Sequence, residues 1–193
     1  MAEAVARTGE VALVIPALNE ALRIREVVEQ ALRHCPWVIV VDDGSDDGTG
    51  DRLHGLPVTV LRHPRRLGKG AALRTGFAEA LARGARGVLT IDGDGQHDPA
   101  DLPRLLDAAA RHPRCIIIGA RLRHREAAPP HRRMANAFGD WGVAWAAGHR
   151  IADTQSGQRY YPAAVIALDE VPGEDFVFEA QLLISAARRL GVH

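Results

Sequence analysis

The sequence predicts an α/β domain in which a mainly parallel central sheet is covered by helices. Three observations carry that expectation. Short, apolar, β-branched runs alternate with longer segments of helical periodicity, the pattern of strands buried on both faces. Acidic and polar clusters follow those runs directly, at the edge where open α/β sheets bind ligands. A chain of 193 residues with 47% hydrophobic and 25% charged side chains suits one globular domain.

The elements follow in order. Val11–Ile15 reads as a buried strand closed by Pro16, and Glu20–His34 as a helix whose Leu22, Ile24, Val27, Val28, Ala31 and Leu32 recur near a 3.6 period. Trp37–Val41 is the second strand, ending in Asp42-Asp43-Gly44-Ser45, and Thr59–Leu61 the third. A helix is expected over Gly70–Ala82, a fourth strand over Gly87–Ile91, and a helix over Pro99–Arg111, with Asp98 before a proline at its first position. Cys115–Ile118 is the fifth strand. The pattern then changes. Arg121–Arg133 reads as a loop rich in Arg, His and Pro, and Met134–Ala147 as a helix with Phe138, Trp141 and Trp145 on one face. That face is expected to pack on the sheet, with entry into a membrane interface as the alternative. A polar and aromatic stretch, Asp153–Tyr161, precedes a last helix over Phe176–Leu190.

Composition narrows the function. Lys+Arg is 24 and Asp+Glu is 24, so no global basic field exists and nucleic acid is not expected as a partner. Two cysteines, Cys35 and Cys115, are too few for a disulfide framework or a four-ligand zinc site. The first twenty residues show no signal-peptide pattern, and no apolar run approaches the ~18 residues that span a bilayer. A reducing cytoplasmic location is expected. No G-x-G-x-x-G follows the first strand, which disfavours a dinucleotide cofactor. Lys69 in Leu67-Gly68-Lys69-Gly70, the single lysine, lacks the Ser or Thr of an ATPase P-loop, although it is positioned to face a phosphate.

The chemistry concentrates in Asp92-Gly93-Asp94-Gly95-Gln96-His97. Two carboxylates two residues apart on leaving a strand can point to one side, and the glycines allow close approach to a ligand. Carboxylate and amide oxygens suit a hard divalent cation such as Mg²⁺ or Mn²⁺, completed by water and phosphate. Of the adjacent Asp42 and Asp43, one is expected to accept hydrogen bonds from a ligand and the other to hold its loop.

The runs Val14–Glu20, Val40–Ser45, Gly68–Gly76, Asp92–His97, Gly119–Arg121 and Asp153–Arg159, in this order, resemble the family 2 glycosyltransferases of GT-A fold, a Rossmann-like architecture. The similarity is strongest to the dolichyl-phosphate mannosyltransferase and polyprenyl-phosphate glycosyltransferase branch, and it covers about Val11 to His193. It implies a nucleotide-sugar-binding half over residues 11–120 and an acceptor-side half over 121–193. It implies that Pro16, Leu18, Glu20, Val41 and Asp43 line a nucleoside pocket, and that Asp92 and Gly93 contact ribose and diphosphate. It further implies that Asp94 and Gln96 ligate the metal, that Arg121 lies near the phosphates, and that Asp153 faces the acceptor. Phe178-Glu179 matches a late aromatic-acidic pair. Leu18 stands where the branch often has Tyr, and Gln158 where an aromatic is common.

The expected activity is inverting transfer of a sugar from a nucleotide-diphosphate sugar, of the GDP-mannose or UDP-glucose type, to a polyprenyl or dolichyl phosphate. A soluble hydroxyl acceptor, or nucleotide-sugar binding without turnover, are the alternatives. The Arg-rich 121–133 stretch is expected to touch an anionic membrane surface. Family members normally continue with a further strand, so the chain is also expected to be shortened relative to them.

Overall fold

The computed structural model describes residues 10–120, 141–149, 151, 153–173 and 175–192. Arg121, the rest of the Arg-rich stretch and the first part of the expected Met134–Ala147 helix lie outside the described residues.

One sheet of six strands organises the chain: β1 (Val11–Ala17), β2 (Val38–Asp42), β3 (Thr59–Arg62), β4 (Gly87–Thr90), β5 (Ile117–Ile118) and β6 (Arg159–Pro162), in the order β3-β2-β1-β4-β6-β5. The first four are mutually parallel, whereas β6 runs antiparallel to both β4 and β5. The helices are α1 (Ile24–Leu32), α2 (Lys69–Ala82), α3 (Leu102–Arg111), α4 (141–147), α5 (Ala163–Ile166) and α6 (Asp175–Leu190).

Side-chain alternation along β1 divides the core between two faces. Leu13 and Ile15 meet Ile24, Val28 and Leu105 from α1 and α3. Ala12 and Val14 meet Leu73, Phe77 and Leu182 from α2 and α6. The second face is packed closely enough that a Cβ on Gly76 would strike the Val14 side chain, so α2 needs glycine there to lie on β1.

Three expectations change. β1 runs on through Pro16, which pairs with Val41; its β4 ladder stops at Val14, so the N–H missing from Pro16 is not needed on that side. α1 starts at Ile24 rather than Glu20: residues 21–23 form a turn in which the Arg23 and Ile24 N–H groups both donate to Glu20 O, and the N–H groups of Asn19, Glu20 and Ala21, which no helical turn would satisfy, are capped by Ser45 Oγ, Thr49 Oγ1 and Asp47 Oδ2 of the loop after β2. The Asp153–Tyr161 stretch contributes β6, which separates β5 from β4. Tyr160 joins the first core and Tyr161 the second, its ring 5.5 Å from that of Phe77. The expected packing of the tryptophan face on the sheet is also overturned: Trp141 and Trp145, one turn apart on α4, are 62% and 76% exposed.

Candidate active site

The carboxyl ends of β1, β2 and β4 meet at one edge of the sheet, and the loops that leave them are cross-braced. Asn19, in a left-handed conformation at φ 56, accepts a hydrogen bond from Asp46 N–H on Oδ1 and donates its own N–H to Ser45 Oγ. Pro16 and Leu18 are half-buried along this edge, while Val41 is fully buried and its side chain belongs to the core.

Both aspartates at the end of β2 hold local backbone through their carboxylates. Asp42, fully buried, accepts from Ser45 N–H at 2.9 Å and lies 3.5 Å from Arg62 Nε. Asp43 Oδ1 lies 2.7 Å from His63 Nδ1 and accepts from Leu67 N–H at 2.9 Å; Oδ2 accepts from Gly68 N–H at 2.8 Å. His63 in turn meets Thr75 Oγ1 at 2.9 Å. Asp43 therefore organises the 63–68 loop and the start of α2.

The loop after β4 divides its two carboxylates between different tasks. Asp92 is clamped: Lys69 Nζ stands 2.7 Å from Oδ1 and His97 Nε2 3.4 Å from Oδ2. Burial opposes its charge, but the His97 hydrogen bond and the Lys69 ammonium outweigh it and hold the carboxyl well below the usual carboxylate range. Gly157 makes the clamp possible, since a Cβ there would collide with the Asp92 carboxylate. Asp94 is half-exposed, and its Oδ1 accepts from Gln96 N–H at 2.9 Å. Arg23 braces the same turn by donating to the Asp94 carbonyl at 3.0 Å. Gln96 is exposed, and Gly93 sits against Pro16 O and Ile24. An open groove of about 790 Å³ between α1 and this loop is lined by Arg23, Val27, Asp94, Gln96 and His97.

Glu20 joins the edge from the β1 side. Partial burial and the Asp94 carboxylate, with Asp47 and Asp92 adding to it, raise its carboxyl above the ordinary value. Three or more His, Cys, Asp or Glu side chains do not gather as a metal-holding group among the described residues. The donor set nonetheless fits a hard cation. Asp94 offers a half-exposed carboxylate in an excess of negative charge, and diphosphate oxygens complete such a shell.

The Asp153–Gln158 stretch is tied to the same edge. Asp153 is buried with φ 53, its carbonyl accepting from Ser156 N–H at 3.2 Å. Ser156 Oγ donates to Gly119 O at 2.7 Å, and Thr90 Oγ1 to Gly157 O at 2.8 Å. Gln158, in the place of a common aromatic, is buried and donates to Asp98 O at 3.1 Å, linking β6 to the loop after β4.

The contact that joins Lys69, Arg159 and Glu179 is visible only in three dimensions. Lys69 turns to Asp92 and to Glu179 Oε2, at 2.7 and 2.9 Å. Burial lowers its affinity for a proton, but the Glu179 and Asp92 carboxylates outweigh this and its pKa is raised. The sequence signal was present, a single lysine between glycines that permit close packing of α2 on α6, but its partners lie 23 and 110 positions away.

Residues 12–163 match the Glycosyl transferase family 2 model. An undecaprenyl-phosphate mannosyltransferase of Micrococcus luteus is 31% identical over 193 residues, covering 91% of this chain and 76% of its own length. A polyprenol monophosphomannose synthase of Mycolicibacterium smegmatis is 38% identical over 114 residues, covering 52% of this chain and 41% of its own. Among solved structures, glucosyl-3-phosphoglycerate synthase of Mycobacterium tuberculosis, in complex with Mn²⁺, UDP-glucose and phosphoglyceric acid, superposes with a TM-score of 0.76 at 23% identity, covering 98% of this chain and 70% of that one.

Proposed function

Since the chain belongs to glycosyl transferase family 2, we propose that it moves a sugar from a nucleotide-diphosphate sugar to a polyprenyl phosphate with inversion at the anomeric carbon. The observation that carries this reading is the division of labour after β4: Asp92 is immobilised by Lys69 and His97, while Asp94 keeps a half-exposed carboxylate beside Glu20. The relatives that act on undecaprenyl and polyprenol phosphates supply the acceptor class.

A phosphate oxygen of the acceptor attacks the sugar C1. The bond from C1 to the diphosphate oxygen breaks, and its electron pair leaves with the nucleoside diphosphate. A divalent cation, Mg²⁺ or Mn²⁺, supplies positive charge against that leaving group. Asp94 and Gln96 would hold it. Asp92 and Gly93 orient the ribose and diphosphate, and Pro16, Leu18 and Glu20 border the nucleoside. Arg121, which follows the pinned Gly119 in sequence, is assigned to the diphosphate charge. An acceptor phosphate is already anionic and needs no general base. A hydroxyl acceptor would need one, and Asp153 and Asp175 are the candidates.

A lipid acceptor brings the chain to a membrane. Among the described residues no helix is long and apolar enough to cross one. The four arginines that follow Arg121 in the 121–133 stretch are assigned to peripheral contact with anionic lipid, each cation contributing about 1 kcal/mol near such a surface.

The test is a transfer assay with GDP-mannose and UDP-glucose as donors, with and without Mn²⁺, against polyprenyl phosphate and phosphoglycerate. Metal-dependent product on the lipid phosphate supports the reading. Product on phosphoglycerate alone assigns the hydroxyl acceptor instead, and nucleotide binding without product assigns a non-catalytic module.

A further inference from the structure

Behind the two candidate loops runs a row of four charges, two of them buried and two half-buried. Arg159 is fully buried and Glu179 is 5% exposed. The Arg159 guanidinium donates through Nη2 to Thr154 O and through Nε to Ser156 O, both at 2.6 Å, and through Nη1 to Tyr161 Oη at 3.1 Å. Its Nη2 also stands 3.7 Å from Glu179 Oε1. Glu179 Oε2 then meets Lys69 Nζ at 2.9 Å, and Lys69 meets Asp92 at 2.7 Å. The row therefore starts at the backbone of the 153–158 stretch, crosses α6 and the first residue of α2, and ends on the loop after β4.

The row is poorly explained as a stabilising device. Buried ion pairs contribute little net stability against an apolar replacement, because desolvation offsets their attraction. Here the mismatch is visible. Glu179 Oε1 is buried with no hydrogen-bond partner among the described residues, and Arg159 approaches it only to ion-pair distance. A side chain selected for packing at this place on α6 would be apolar, as Phe178 and Leu182 are. What the charge does accomplish is geometric: one carboxylate receives the two cations that hold two separate loops.

We propose that Glu179 is a positioning residue for sugar transfer, registering the Asp92 loop with the Asp153–Gln158 loop through Lys69 on one side and Arg159 on the other. The proposal rests on the transferase reading for its consequence, but not for its geometry. Without the Glu179 charge, the carboxylate that Lys69 and Arg159 share is lost, and the two loops are no longer registered to each other through it.

Hydrogen exchange on the unliganded chain tests the geometry without any substrate. Glu179→Gln keeps the volume and removes the charge. Glu179→Met removes every polar atom and serves as the second variant. In either folded variant, amides of 93–97 and of 154–158 should exchange about ten-fold faster or more, while core amides of β1 and β2 keep wild-type rates. In the transfer assay, kcat per folded molecule should fall about ten- to hundred-fold, the scale expected when reacting groups are misplaced by about an ångström. Loops that keep wild-type exchange, loosening of only one of them, or loosening confined to α6 would overturn the proposal. If the wild-type chain transfers no sugar, the functional reading fails on that result alone, and the exchange pattern still decides whether Glu179 registers the loops.

Discussion

Replacing Lys69 by Met isolates the largest electrostatic element of the site. The substitution keeps a long unbranched side chain and removes the ammonium that lies 2.7 Å from Asp92 and 2.9 Å from Glu179. Breaking a buried ion pair by removing one partner costs about 3–5 kcal/mol, because the other charge stays buried without compensation. The Asp92 side chain keeps 27% exposure and the His97 contact, so the cost falls at the low end, about 3 kcal/mol. For a chain of this size that lowers Tm by roughly 6–12 °C. The pH dependence has a definite sign. Asp92 is held below its unfolded value, so its contribution is present above about pH 4 and is lost as pH falls through the folded value. Lys69 is held above its unfolded value, so its contribution is present below about pH 10 and is lost as pH rises through the folded value. The gap between wild type and Lys69→Met should therefore be widest near neutrality and narrow below about pH 4 and above about pH 10. Urea unfolding followed by circular dichroism across this range measures it. Arg104→Met is the control: its pair with Asp101 is surface-exposed, and its loss should cost no more than about 0.5 kcal/mol. A Lys69→Met cost below about 1 kcal/mol at pH 7, or a gap that does not change with pH, would refute the reasoning.

Asp94→Asn should leave Tm unchanged, lower transfer by about two orders of magnitude or more, and weaken Mn²⁺-dependent nucleotide binding in calorimetry. Gly157→Ala should cost about 1–3 kcal/mol in thermal unfolding, because its Cβ meets the Asp92 carboxylate, and should reduce activity with it. Burial pushes the Cys35 thiol from 9.0 up to about 11, so stability should fall by about 3 kcal/mol as pH rises through that window, and Cys35→Ala should remove this part of the alkaline slope. Replacing Arg123, Arg125, Arg132 and Arg133 by Gln should abolish low-salt sedimentation with anionic vesicles and leave nucleotide affinity intact; sedimentation insensitive to salt counts against a membrane role for the stretch.

Much of the fold was legible because its signals are local. The apolar runs of β1, β2 and β4 are buried on both faces, so they stand out without knowledge of their neighbours, and the Asp92–His97 loop declares itself by composition and by following a strand. β6 was not legible. Arg159, Tyr160 and Tyr161 look amphipathic in sequence and become interior only because β4 and β5 flank them and Phe77 covers one face.

The sequence by itself determined the α/β class, the order of the first four strands along the chain, and which loops carry carboxylates. Tertiary structure alone decided how those carboxylates are used. Adjacent aspartates look equivalent as text, yet the backbone N–H of residue 45 engages one oxygen of Asp42, while those of residues 67 and 68 engage both oxygens of Asp43. Asp92 and Asp94 are two residues apart, yet a lysine and a histidine fix the first and leave the second half-exposed. The physical reason is distance along the chain. A carboxylate's role depends on the donors that reach it, and for Asp92 and Glu179 the shared donor is Lys69, brought between them by the packing of α2 against α6 through Gly70 and Phe178.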